Sequence, residues 1–492
     1  MQDSKLIEIL KTFSKNEWKQ FEKFIASPFF NNGRNYIPLY KQLQRYHPKF
    51  DNPKLTYEYL YQRIYPGRKF NKQVMWNMAS ELEKLSREFI LQLGFRENKV
   101  ERFNVMFNEF FNRKLDRHVL KEIENLEEFL NTEKAGQLYF DKKRVLEEAK
   151  IEYWNSIKGR QDKALEGIIK VAGYFFLYFF SEFSIQVWDL NIMKKMYNPG
   201  ESTTSALELF KMTDLEKTVL YAEEKKYEYA PMLRFYYNKI MCALDEENEH
   251  YFFDMKNFFE SNSGLFSTGE QKNIIITLAN YCANKMRLGS EYYIRELFEI
   301  NKIRLKKEFP GNSRINKALF HQVLKNALSL KEIKWAEDFI TDYTPRLNAE
   351  YREPMKSLAL GYLSFAKGDY RKTLHYINET EFIDIRDKLH IRILSAKSYY
   401  ELKEMELLMH YIDSSRHFIS SSESLEDETR DAYLKFFRYL EKLVLYIEGS
   451  DSLTPGSLRE SIENDKALRS RHGEWFNEKL TELENKRSAI NK

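Results

Sequence analysis

Leu358 to Ile377 reads LALGYLSFAKGDYRKTLHYI. An apolar segment carrying one small residue, Gly361, runs into Gly368-Asp369-Tyr370 and out again to Tyr376-Ile377. Gly368 permits the backbone angles of a tight turn, and Asp369 can accept from the free amides that open a following helix. The phrase recurs on both sides. Lys331-Glu332-Ile333 leads to Phe339-Ile340, and Lys403-Glu404-Met405 leads to Tyr411-Ile412, at spacings of 35 to 37 residues. Periods of this size mark helical hairpins, each of which buries its apolar face against its neighbours.

The rest of the chain agrees with helices. Its 492 residues exceed one compact core, and 17 Gly and 11 Pro are few helix breakers for that length. No segment alternates with period two long enough to make a strand, so the expected class is all-α. Residues 1–95 read as a helical N-terminal domain punctuated by five of the eleven prolines. Ser14-Lys15-Asn16-Glu17 has the pattern of a capping box, while Thr56 and Asn71 stand where caps are needed. Residues 96–198 read as a long-helix middle region, 199–456 as a helical-hairpin array and 457–492 as a C-terminal capping helix. Loops are expected at Asn198-Pro199-Gly200, Pro310-Gly311 and Ser420–Ser424.

Composition narrows the function classes. Cys242 and Cys282 are the only cysteines, so disulfides do not hold the fold and a reducing compartment is expected. Met1 to Glu8 is polar, and the most apolar run, Val171 to Phe180, is about half the length of a membrane-crossing helix. That run is expected to be fully buried, and the protein cytoplasmic, without membrane insertion. The first hundred residues hold 18 Lys+Arg against 10 Asp+Glu, within a net charge of +4. A mildly basic head can meet nucleic acid or an acidic partner, or can simply be solvated.

The Leu358–Ile377 segment resembles a tetratricopeptide repeat. In that family a small residue stands where two helices cross, residues of the Gly-Asp-Tyr type make the turn, and a second small residue follows. Ala396 holds the first small position in the next copy, and Ala336 the second in the preceding one. A weaker fourth copy places Cys282 at the first small position and Gly289 at the turn. Thr373, Leu408 and Leu324 depart from the pattern, which implies altered crossing angles and a divergent relative. The resemblance implies an α-solenoid whose first helices line a groove for extended peptides or helices. Positions His321, Lys325, Tyr362, Phe365, His390, Lys397 and Tyr400 would face that groove. Cationic and aromatic residues together suit an acidic or carboxylate-bearing segment of a protein partner.

No motif points to catalysis. There is no Gly-x-Ser-x-Gly elbow, phosphate loop or dinucleotide fingerprint, and no cofactor is expected. His410, Asp413 and His417 share a helix face, but ligands seven residues apart stand about 10 Å apart along the axis, too far for one ion. An alternative to the interaction scaffold is a nucleic-acid-binding regulator. In it, Arg63, Arg68, Lys69 and Lys72, near a turn between two helices, contact phosphates, and the array serves as the sensor.

Overall fold

The computed structural model describes residues 1–31, 33–136, 138–197, 205, 208, 212, 214–287, 290, 292–308, 313–378, 384–422, 425, 427–449 and 454–490. The expected loops at Asn198-Pro199-Gly200 and Pro310-Gly311, the turn at Gly289 and part of Ser420–Ser424 lie outside them. Among the described residues the protein is all-α, with 23 helices, two short 3-10 turns and no strand. The chain divides into two compact units, Met1–Glu133 with Leu138–Phe175, and Lys134–Gln137 with Phe176–Lys492.

The first unit begins with α1 (Lys5–Lys11), α2 (Lys15–Ala26), α3 (Ile37–Gln44), α4 (Tyr57–Ile64) and α5 (Lys72–Glu97). The caps stand where the sequence places them. Ser14 and Glu17 close a reciprocal capping box, Thr56 accepts from the Tyr59 amide and Asn71 from that of Val74. Trp18, Phe21, Phe24, Tyr40, Met75, Met78, Leu82 and Phe89 form one core. Tyr40 settles its phenol there by donating to the Trp18 carbonyl at 2.8 Å. Helices α6 (Lys99–Asn112), α7 (Asp116–Thr132) and α8 (Tyr139–Ser156) pack a second core from Phe103, Phe107, Val119, Leu126, Leu130 and Leu146.

Helix α9 (Gln161–Tyr197) corrects one expectation. Val171 to Phe180 is not fully buried. Gly173, Leu177 and Phe180 are, but Ala172, Phe175 and Phe176 are exposed, as are Leu165, Ile168 and Ile169. The run is apolar all round while neighbours cover only part of its circumference, so the remainder faces outward. By length and composition residues 161–193 could cross a membrane, with a mean hydropathy of 1.4 in the best window. The C-terminal part of the helix makes hydrogen bonds inside the second unit. Trp188 Nε1 donates to the Lys239 carbonyl at 2.8 Å and Asn191 to that of Ala243 at 2.9 Å.

The second unit continues as paired helices: α10 (Leu215–Glu224), α11 (Ala230–Leu244), α12 (His250–Asn262), α13 (Thr268–Arg287), α14 (Tyr292–Glu308), α15 (Lys317–Ser329) and α16 (Ile333–Tyr343). After them come α17 (Ala349–Ala366), α18 (Tyr370–Asn378), α19 (Ile385–Glu401), α20 (Met405–Ser420), α21 (Asp427–Ile447), α22 (Pro455–Asn464) and α23 (Lys466–Ile490). Sequential helices pack as hairpins, and in addition α15 touches α17 and α17 touches α19. The terminal helix α23 packs on α21 and reaches back to α13.

The crossing glycine acts as its position implies. A Cβ on Gly361 would come within 2.7 Å of Ile377 Cγ2, so α17 and α18 meet closely only because residue 361 lacks one. Thr373 fits beside it, fully buried, donating to the carbonyls of Asp369 at 3.0 Å and Gly361 at 3.3 Å. The three repeated turns share a geometry that only one of them announces. Lys331, Gly368 and Lys403 are all left-handed, with φ of 58°, 77° and 60°. The next amide in each case reaches back five residues, from Glu332 to Ala327, Asp369 to Ser364 and Glu404 to Tyr399. This is the Schellman helix ending. Lys226 in the same unit, and Lys114 in the first, end their helices in the same way.

Candidate functional site

Helix α15 carries Lys317, His321 and Lys325 four residues apart, which places them in a row on one face. Across from the row, α17 contributes Tyr362 and α19 contributes His390. The His321 ring lies 5.4 Å from that of Tyr362 and 4.5 Å from that of His390, and Lys325 Nζ lies 5.8 Å from the Tyr362 ring centroid. Four of the seven residues expected on the partner-binding face are thus in mutual contact. Lys397, two turns beyond His390 on α19, extends the same face.

The other two go elsewhere. Phe365 packs on Tyr370 at the hairpin turn, 5.2 Å between rings, and Tyr400 is buried against Trp475 of α23, also at 5.2 Å. Trp475, Phe476 and Leu480 have to bury their apolar area, and they do so partly against this end of the array. Lys397 meets the same helix, with its Nζ 4.8 Å from the Trp475 ring and 5.9 Å from that of Phe436 on α21.

Charge is committed unevenly along this face. Lys317 holds Asp384 at 2.8 Å and Asp387 at 2.9 Å. Glu401 accepts from Trp475 Nε1 and from Lys479 Nζ, both at 3.0 Å. Burial alone would depress the Lys479 ammonium, but the hydrogen bonds it donates to Glu482 and Glu401 outweigh it and hold the group above the usual lysine range. Lys397 makes no hydrogen bond or ion pair among the described residues. Burial, with Lys325 nearby adding repulsion, pushes its ammonium down to about 7. Burial, then His390 and Lys325, push the His321 imidazole well below its usual range, and its buried Nε2 has no hydrogen-bond partner among the described residues. Burial raises the Tyr362 phenol. At neutral pH the middle of the face is a neutral imidazole and phenol beside two lysines.

Sequence reading missed Lys317, Asp387, Glu401, Phe436, Trp475 and Lys479 as parts of this face. The i, i+4, i+8 spacing could have supplied Lys317. The bond between Glu401 and Lys479 spans 78 positions and leaves no local signal.

The basic residues of the head lie in the first unit. Arg63, Arg68, Lys69 and Lys72 are all exposed around the α4–α5 turn, with Arg68 5.8 Å from the Tyr65 ring and Lys72 4.4 Å from that of the exposed Trp76. His410, Asp413 and His417 point to solvent on α20, and no group of three or more potential metal ligands occurs among the described residues. A cleft of about 380 Å³ between α11 and α12, lined by Arg234, Asn238, Asp254 and Asn257, contains none of the expected residues. Comparison with protein-family models finds no match, and comparisons with curated proteins and with solved structures find none either.

Proposed function

We propose that the second unit is an interaction platform, a divergent tetratricopeptide-like solenoid that holds an anionic segment of a protein partner against the α15–α17–α19 face. The hairpin pairing and the contacts between alternate helices support the solenoid reading. The observation that carries the binding reading is the distribution of countercharge. Asp384 and Asp387 are occupied by Lys317, and Glu401 by Lys479, while Lys397 has no carboxylate of its own among the described residues. A carboxylate or phosphate arriving with a partner would supply it, and the half-buried Tyr362 ring offers apolar area beside the charge.

The test is a peptide array of acidic, neutral and basic sequences, probed with the wild-type protein and with Lys325→Glu. Selective retention of acidic peptides, lost in the variant with its helicity unchanged, is the expected result. Retention indifferent to peptide charge contradicts the reading. The alternative, phosphate contact through Arg63, Arg68, Lys69 and Lys72, is favoured by their joint exposure with Trp76. It requires nucleic-acid affinity that falls steeply with salt.

A further inference from the structure

We propose that Lys397 is a carbonyl-reactive amine, a modification site at which a small anionic aldehyde or oxo acid condenses on Nζ while its anionic group pairs with Lys325. The contrast with the other enclosed lysines carries the inference. Lys239 is ion-paired to Glu270 at 3.6 Å, Lys285 to Glu249 at 3.3 Å and Lys479 to Glu401 at 3.0 Å. Each of those three amines has a carboxylate as its direct partner. Lys397 has aromatic rings in their place, Trp475 at 4.8 Å and Phe436 at 5.9 Å. As a residue Lys397 is also partly exposed, whereas the three paired lysines are buried.

The charges acting on Nζ come from three helices: Lys325 of α15, Glu401 of α19 itself, and Glu474 and Glu478 of α23. Glu401 is already bonded to Lys479 and Trp475, and Lys479 also engages Glu478 at 3.2 Å. Burial and Lys325 prevail, and the ammonium releases its proton near pH 7, where an ordinary lysine stays charged. An amine desolvated beside a second cation is the arrangement that makes lysine a nucleophile in water.

The chemistry balances without an oxidant or reductant. The Nζ lone pair attacks the carbonyl carbon, the C=O electron pair moves to oxygen, and nitrogen passes a proton to solvent as oxygen gains one. The carbinolamine then expels water as the C=N bond forms, so amine and carbonyl give imine and water. The anionic end of the molecule lies against Lys325, on the neighbouring helix row.

The experiment uses the full-length wild-type protein with glyoxylate as the probe. Cyanoborohydride reduces any imine to a stable secondary amine, and peptide mass spectrometry reads occupancy at each lysine across a pH series. At pH 7, Lys397 is expected to be modified roughly tenfold or more faster than the exposed Lys334, because a far larger fraction of it is the free amine. Its rate should level off above a midpoint near pH 7. Lys325→Met should weaken glyoxylate saturation at Lys397 and move that midpoint upward. Modification of Lys397 no faster than Lys334, or a rate still climbing steeply above pH 9, overturns the proposal. Neither result depends on a variant folding, and neither bears on whether acidic peptides bind.

Discussion

Replacing Gly361 by alanine tests the repeat geometry at its tightest point. A helical glycine normally gains about 1 kcal/mol on becoming alanine, from backbone entropy alone. Gly94, in the middle of the last turns of α5, has nothing within 4 Å of its missing Cβ, so Gly94→Ala should show that full gain. At Gly361 the new methyl would lie 2.7 Å from Ile377 Cγ2 and 3.6 Å from Leu394 Cδ2. The first distance is about 1 Å inside ordinary carbon–carbon contact, and forcing α17 and α18 apart to relieve it costs about 2 kcal/mol. The net expectation is a loss of about 1 kcal/mol, opposite in sign to Gly94→Ala. Urea titration followed by far-ultraviolet circular dichroism measures both. Ile377→Leu removes the Cγ2 methyl, so the double variant with Gly361→Ala should recover much of the loss, giving a coupling of about 1 kcal/mol. If Gly361→Ala stabilises the protein as Gly94→Ala does, or if the two substitutions simply add, the close crossing is not as described.

Other expectations follow from the same structure. Lys331→Gly and Lys403→Gly should each stabilise by a few tenths to about 1 kcal/mol, because a side chain at positive φ is strained, whereas Gly368→Ala should cost about 1 kcal/mol; midpoints of urea denaturation decide all three. The depressed His321 imidazole means that the fold prefers it neutral. Its contribution is therefore complete above the unfolded value of 6.5 and is lost as pH falls from there toward the folded value. His321→Gln should flatten that part of the stability–pH curve, measured between pH 7 and 5. Lys397→Met should raise stability at pH 7 by about 1 kcal/mol through loss of an unpaired, partly desolvated ammonium. Removing residues 457–492 strips Trp475, Phe476 and Leu480 from the core they share with Phe436 and Leu440, and should produce aggregation visible by light scattering.

Local chemistry accounts for what was legible in the sequence. The helices of the first unit could be bounded to within a few residues because Ser14, Thr56 and Asn71 cap them, and a cap acts over only three positions. Gly361 and Gly368-Asp369-Tyr370 were readable for the same reason. The matching turns at Lys331 and Lys403 were less so, because lysine carries no sign of a left-handed backbone; the stability of the hairpins on either side imposes it. Val171 to Phe180 misled because an all-apolar helix does not say how much of its surface neighbours will cover. On the candidate face, helical spacing aligned His321 with Lys325 and His390 with Lys397. It could not show that α23 arrives at the same place, claims Tyr400 and Glu401, and leaves Lys397 without a carboxylate among the described residues.

The central claim is that the α15–α17–α19 face holds a protein partner, and site-directed photocrosslinking tests it most directly. A photoreactive phenylalanine analogue at position 362, in the face, is compared with one at exposed position 334 after irradiation in native lysate. The account predicts a discrete crosslinked protein from position 362, insensitive to nuclease, competed by acidic peptide and absent from position 334. Equal crosslinking from both positions, or a product from 362 that nuclease removes, would contradict it.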